Sequence, residues 1–314
     1  MAEAECIAAP DLAAYQTATP TDFAMGPTRS DRLGRVVAPV TVNGQGPFRF
    51  IVDTGANRSV LSQTLADRLG VAASRTGEVH SVYGVSTAPL ANIASLEYGR
   101  LELGGGEMPL LQGAVLAGEH GLLGVDGMRG RRLRMDFVRN CIEIVPSEQA
   151  RRLRGWVTIR SELRFGHLVV APGRIDGVRV NLLLDTGSDS TLANVALREA
   201  ISARVRRLRT ENTVAFTAGR PVVLSDGIFI PHMMMGDVEV RNVAAYVGDF
   251  HIFALWRLQD EPTLLIGMDV LAQTRGLAID YGRSVVYLDI RDPVRTGSRL
   301  PGVQAGPSTT VERR

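Results

Sequence analysis

The sequence contains no lysine; all 35 of its basic side chains are arginine. That reads as a compositional bias and not as a functional signal. Against 33 acidic residues the formal net charge is only +2, which excludes the strongly basic balance of a nucleic-acid partner. Cysteine is almost absent too. Cys6 lies in a poorly patterned N-terminus far from Cys141, so neither a disulfide framework nor a thiolate metal site is expected. His80, His120, His167, His232 and His251 show no His-x-x-x-His spacing, and no metal or organic cofactor is expected. No apolar run approaches the ~20 residues that would span a bilayer. The first residues carry Glu3 and Glu5 with no apolar stretch behind them, so no signal peptide is expected and the chain as written reads as cytoplasmic. A periplasmic protein whose leader had been removed would read the same way. Gly104-Gly105-Gly106 lacks a following Lys-Ser/Thr and a helical pattern, which excludes a phosphate loop and leaves a turn.

What is present is a repeat. Phe50-Ile51-Val52-Asp53-Thr54-Gly55-Ala56-Asn57 returns as Leu182-Leu183-Leu184-Asp185-Thr186-Gly187-Ser188-Asp189, 132 residues later. One Asp-Thr-Gly after an apolar run is ordinary turn chemistry. Two in matching settings are not, because the flanking landmarks repeat as well. Val36 to Pro39 and Asn43-Gly44 are mirrored by Leu168 to Pro172 and Asp176-Gly177; Gly121 to Asp126 by Thr263 to Asp269; Leu133 to Phe137 by Leu277 to Tyr281. The order is kept and the offset grows to 143–144 residues through insertions in the second copy. At 314 residues the chain exceeds the roughly 250–300 at which one core stops growing, so each copy is expected to form its own lobe.

The pattern predicts an all-β, bilobal protein with six to seven strands per lobe and a cleft between the lobes. An extended arm is expected over 1–30, the first lobe over 31–150, the second over 151–292, and a disordered tail over 293–314. Ser62 and Gly70 bracket a short helix as its N-cap and C-cap, and a second helix is expected over 195–203. A turn of helix is expected over 149–153, and a hairpin whose tip carries Tyr83 and Gly84 over 77–103. Asp126 and Asp269, each two residues after a late Gly, read as helix caps. Met233-Met234-Met235 reads as packing.

Two aspartates on equivalent loops of a pseudo-twofold pair would meet face to face. Carboxylates that close cannot both ionise, so they share a proton: one serves as base to a water, and the other donates a hydrogen bond to the carbonyl under attack. Gly55 and Gly187 leave the backbone room beside the carboxylates, and the Thr54 and Thr186 hydroxyls can tie the loops together.

With both Asp-Thr-Gly loops and the later Leu122-Leu123-Gly124 and Leu265-Ile266-Gly267, residues 35–290 resemble an aspartic protease of the retropepsin/pepsin type, more similar to bacterial retropepsin-like proteins than to the larger pepsins. The resemblance implies an endopeptidase with catalytic Asp53 and Asp185. It implies loop support from Thr54, Gly55, Thr186, Gly187 and Ser188, and flap residues Tyr83 and Gly84, with Gly219 as a second flap tip. It implies a polypeptide substrate, and both aspartates in one chain imply a monomer. In the family an Asp soon after Asp-Thr-Gly pairs with an Arg after the late Gly. Here Asn57 faces Val125 and Asp189 faces Met268, so that ion pair is expected to be missing from both lobes. The resemblance also implies that the hydroxyl of Ser188 supports Asp185. Ala56 offers none on the other side, so Asp53 is expected to hold the shared proton. Two rivals stay open: a non-catalytic peptide-binding or scaffold module on the same fold, and a glycoside hydrolase, whose carboxyl groups stand ~5 Å or more apart.

Overall fold

A computed structural model of the protein describes residues 24–27, 29–30, 34–99, 101–112, 114–165, 167–201, 206–215, 222–290 and 309–313. Each lobe starts from the same hairpin. Val36–Val42 turns through Asn43 and Gly44, both at positive φ (49° and 70°), into Gln45–Val52. Leu168–Ile175 turns through Asp176 and Gly177 (47° and 85°) into Val178–Leu184. Asn-Gly and Asp-Gly suit this two-residue turn because its twist matches that of the strands it joins.

Beyond each hairpin the chain makes the crossing that presents the repeated loops. Gly121–Leu123 lies parallel to Gln45–Val52, with Phe50 opposite Gly121 and Val52 opposite Leu123, and antiparallel to Val60–Ser62. The segment joining Val52 to Val60 must therefore arch over the end of the inserted strand, and it carries Asp53-Thr54-Gly55. Thr263–Ile266 does the same between Val178–Leu184 and Leu192–Ala193. A strand enclosed on both sides needs apolar residues, which explains the late Leu-Leu and Leu-Leu-Ile runs. The glycines closing them are required by close approach. A Cβ at Gly124 would stand 2.7 Å from the carbonyl carbon of Arg58, and one at Gly267 2.6 Å from the Ser190 carbonyl oxygen.

Three sheets result. The first lobe's sheet has eight strands and curls so that Val36–Val42 also pairs with Gly84–Tyr98. The second lobe's has nine. The third is shared: the hairpin Arg131–Asp136/Cys141–Pro146 of the first lobe joins the hairpin Gly276–Asp280/Val285–Asp289 of the second, flanked by Ala24–Pro27 and Val157–Arg160. At the seam Leu133 faces Ile279 and Met135 faces Leu277, the self-complementary register that a twofold relation produces. All four side chains are buried, and each contributes roughly 1.5–3 kcal/mol. One hydrophobic core runs from both lobes into this seam.

Several expectations are corrected. The lobes hold more than six or seven strands because short edge strands, Arg29–Ser30 and Glu162–Arg164, add to them. Gly104-Gly105-Gly106 is not a turn; it lies inside Leu101–Leu111 at a register irregularity where Gly105 presses on the carbonyl of Ala94. The chain turns ahead of that strand, at Gly99 with its positive φ of 60°. In the segment expected to be a disordered tail, Thr310–Arg313 pairs with Val238–Val247 and buries Val311. Cys141 is disulfide-bonded; the chain's other cysteine, Cys6, lies outside the described residues. The expected turn of helix after Pro146 is a single tight turn, Ser147–Gln149. The helix Gln63–Leu69 has its Ser62 and Gly70 caps as expected, and the second helix runs from Val195 to Ile201. Met233 and Met235 are buried.

Candidate active site

The two Asp-Thr-Gly loops meet where the lobes meet, and their threonines lock them. Thr54 Oγ1 donates to the Leu184 carbonyl at 2.7 Å and accepts from the Thr186 N–H at 3.1 Å. Thr186 Oγ1 donates to the Val52 carbonyl at 2.7 Å and accepts from the Thr54 N–H at 3.2 Å. Both hydroxyls are buried, so each carries a donor and an acceptor function that water could not replace.

Asp53 and Asp185 are hydrogen-bonded to each other across the seam. Each glycine lies against the opposite carboxylate. A Cβ at Gly55 would stand 2.7 Å from Asp185 Cγ, and one at Gly187 would collide with Asp53 outright. Burial raises both carboxyl groups above the usual aspartate range, but the pair is not symmetric. Asp53 Oδ1 accepts from the Gly55 and Ala56 N–H groups, each at 2.9 Å. The hydrogen bond from Asp185 and the nearby Arg35 guanidinium also favour its anion. On Asp185, burial, the charge of Asp53 and the proton held in their shared hydrogen bond act together, and its carboxyl is pushed well up. Both carboxyl groups are thus held in the range where the pair shares one proton.

The expectation that Asp53 holds this proton rests on a hydroxyl that supports Asp185. The hydroxyl behind that expectation is turned elsewhere: Ser188 Oγ donates to the Ser190 carbonyl at 2.7 Å. Backbone N–H groups stabilise both carboxylates, so Ala56 and Ser188 do not set the asymmetry. Arg35 contributes to it instead. Its buried guanidinium sits between the lobes, donating from Nη1 to the Val115 and Gly187 carbonyls at 3.3 and 3.4 Å.

Behind each loop is a tie that replaces the family's ion pair. Ser59 Oγ donates to Asp126 Oδ1 at 2.7 Å and accepts from the Gly124 N–H at 3.1 Å. Thr191 Oγ1 donates to Asp269 Oδ1 at 2.8 Å and accepts from the Gly267 N–H at 3.2 Å. Asp126 and Asp269 are thus clamps on the loops and not helix caps; Gly267 occupies the N-cap of Met268–Leu271. Burial pushes the Asp269 carboxyl up to about 7 against the Thr191 hydrogen bonds. Ser59 and Thr191 went unnoticed in the sequence, although each stands six residues after its Asp.

The hairpin Ala73–Ser81/Gly84–Tyr98 crosses the cleft, and its tip rests on the other lobe. The Val82 carbonyl accepts from the Ile252 N–H at 3.2 Å. Tyr83 meets Phe250 edge to face at 5.4 Å, and His80 Nδ1 lies 3.0 Å from His251 Nε2. Burial, with the charges of Asp189, Tyr246 and Asp185, keeps the Tyr83 hydroxyl protonated and able to donate. Gly84 is at the tip; Gly219 lies outside the described residues. Among the described residues no three His, Cys, Asp or Glu side chains cluster as metal ligands, and no helix is long and apolar enough to cross a membrane.

An all-β pair of lobes related by a pseudo-twofold, with hydrogen-bonded aspartates at their junction, defines the acid-protease class of fold. A family model described as aspartyl protease matches the chain twice, over residues 38–126 and 171–270. The two stretches cover more than half of the chain, which belongs to the aspartyl protease family. No curated protein matches the chain.

Proposed function

We propose that the protein is an aspartic-type endopeptidase, active as a monomer, with Asp53 and Asp185 as its catalytic pair. The observation that carries the reading is the hydrogen-bonded, unequal pair of carboxyl groups beneath a hairpin that closes the cleft. Ionised Asp53 accepts a proton from the water while that water's oxygen adds to the peptide carbonyl carbon. Protonated Asp185 supports the developing oxyanion. The proton taken by Asp53 then passes to the amide nitrogen, the C–N bond breaks, and the pair returns to one shared proton. No covalent intermediate is needed. The roles of Thr54, Gly55, Thr186 and Gly187 are to fix the two carboxyl groups at this distance. Tyr83 and Gly84 cover the bound polypeptide, and the hairpin must lift from Phe250 and Ile252 to admit it.

The glycoside hydrolase alternative requires carboxyl groups ~5 Å or more apart and is not supported by a directly hydrogen-bonded pair. A scaffold module would gain nothing from burying two carboxyl groups together, since their desolvation opposes folding. The test is digestion of a mixed peptide library in H2(18)O. One (18)O atom should appear in each newly formed C-terminal carboxylate. Absence of new termini, with peptides retained on the protein, would favour the scaffold.

A further inference from the structure

On the outer side of the shared sheet, away from the paired aspartates, lies a cavity of about 260 Å³. Arg134, Arg139, Arg152, Arg154 and Arg275 line it, against only Asp136 and Asp289, so the site carries a formal excess of three positive charges. The ion pairs of these arginines are loose: Arg134 to Asp136 at 3.7 Å and to Glu143 at 3.8 Å, Arg139 to Asp136 at 3.8 Å and Arg275 to Asp289 at 3.9 Å. Arg152 and Arg154 make no ion pair among the described residues. The Nε atoms of Arg134 and Arg275 are buried without an acceptor. Trp156, itself buried, holds the Arg134 guanidinium over its ring at 5.5 Å.

Five like charges around one cavity repel one another, and two buried donors without acceptors oppose folding. We propose that the cavity binds a small multivalent oxyanion, a compound bearing two or more phosphate or carboxylate groups. Guanidinium forks match both groups with paired N–H donors, and several forks around one space select charge number over shape. The cavity is smaller than the ~300–1,000 Å³ of drug-sized sites, which favours a compact ion over a peptide. Arg134 belongs to a first-lobe strand, whereas Arg275 immediately precedes a second-lobe strand and accepts at its carbonyl from the Phe137 N–H at 2.9 Å. An anion held by both clamps the two lobes behind the active site.

Calorimetric titration of the full chain with inorganic pyrophosphate, and separately with citrate, tests this without reference to proteolysis. Binding should occur at or below about 1 mM and weaken as salt rises. The double variant Arg152→Gln/Arg154→Gln changes two exposed side chains, keeps the fold, and should weaken binding about tenfold or more. Pyrophosphate binding alone would assign a phosphate ligand, citrate alone a carboxylate. Heat from neither ion, or equal affinity in the variant, would overturn the proposal.

Discussion

Thr186→Val replaces a hydroxyl with a methyl group of nearly the same size at the most enclosed point between the lobes. In the native protein that hydroxyl serves two backbone groups, the Val52 carbonyl and the Thr54 N–H. Neither can turn to water, because Thr186 and Thr54 are both buried. Each buried group left without a partner costs about 1–3 kcal/mol, so the variant should lose about 2–6 kcal/mol. With a urea slope of about 3 kcal/mol/M, the unfolding midpoint should fall by about 1 M. Thr54→Val removes the mirror-image pair of bonds and should cost a similar amount. Thr186→Ser keeps both hydrogen bonds and loses only a methyl group, about 1 kcal/mol. Equilibrium urea unfolding followed by tryptophan fluorescence is the assay. A Thr186→Val midpoint within about 0.2 M of the native one, or a Ser variant as damaged as the Val variant, would refute the argument that these hydroxyls join the lobes.

Three further outcomes follow from the same geometry. Burial raises the Asp269 carboxyl to about 7, so its contribution to stability is full below the ordinary aspartate range near pH 4 and is lost as pH rises through 7. Asp269→Asn should therefore flatten the fall in melting temperature between about pH 4 and 7, and an unchanged slope would contradict the assignment. Because Ser188 Oγ bonds Ser190 and not Asp185, Ser188→Ala and Ala56→Ser should leave the alkaline limb of the pH–activity curve in place; a clear shift in either speaks against the backbone N–H groups as the tuning donors. The hairpin tip is held to the second lobe by the Val82–Ile252 hydrogen bond and by the His80–His251 contact. His251→Ala should therefore lower the hydrogen-exchange protection factor at the Ile252 amide, and an unchanged factor would mean that this contact does not hold the tip.

The duplication was legible in the sequence because it rests on short-range chemistry repeated in order: Asn-Gly and Asp-Gly turns, apolar strands, and Gly where backbones touch. The helix caps Ser62 and Gly70 were legible for the same reason. The clamps Ser59 and Thr191 show only as an equal spacing from Asp53 and Asp185, because their partners Asp126 and Asp269 lie 67 and 78 residues away in the chain. Arg35 carries no such signal, since one arginine before a strand looks like any other until the second lobe's Gly187 carbonyl is brought to it. The proton's location depends on that arrangement too. A side chain's neighbours in sequence suggested that Ser188 would tune the pair, whereas its hydroxyl finds a nearer acceptor two residues on. The strand Thr310–Arg313 was missed because four residues at the end of a Pro- and Gly-rich stretch have no periodicity to read.

On the proposed function, Asp53 and Asp185 act as one unit to hydrolyse peptide bonds. Its most direct test is digestion of a mixed peptide library by the native protein, Asp53→Asn and Asp185→Asn, at mildly acidic pH and with unfolding curves recorded for all three. The native protein should cleave, neither variant should, and the variants should show no large loss of stability. Substantial cleavage by either Asn variant, or none by the native protein at any pH, would contradict it.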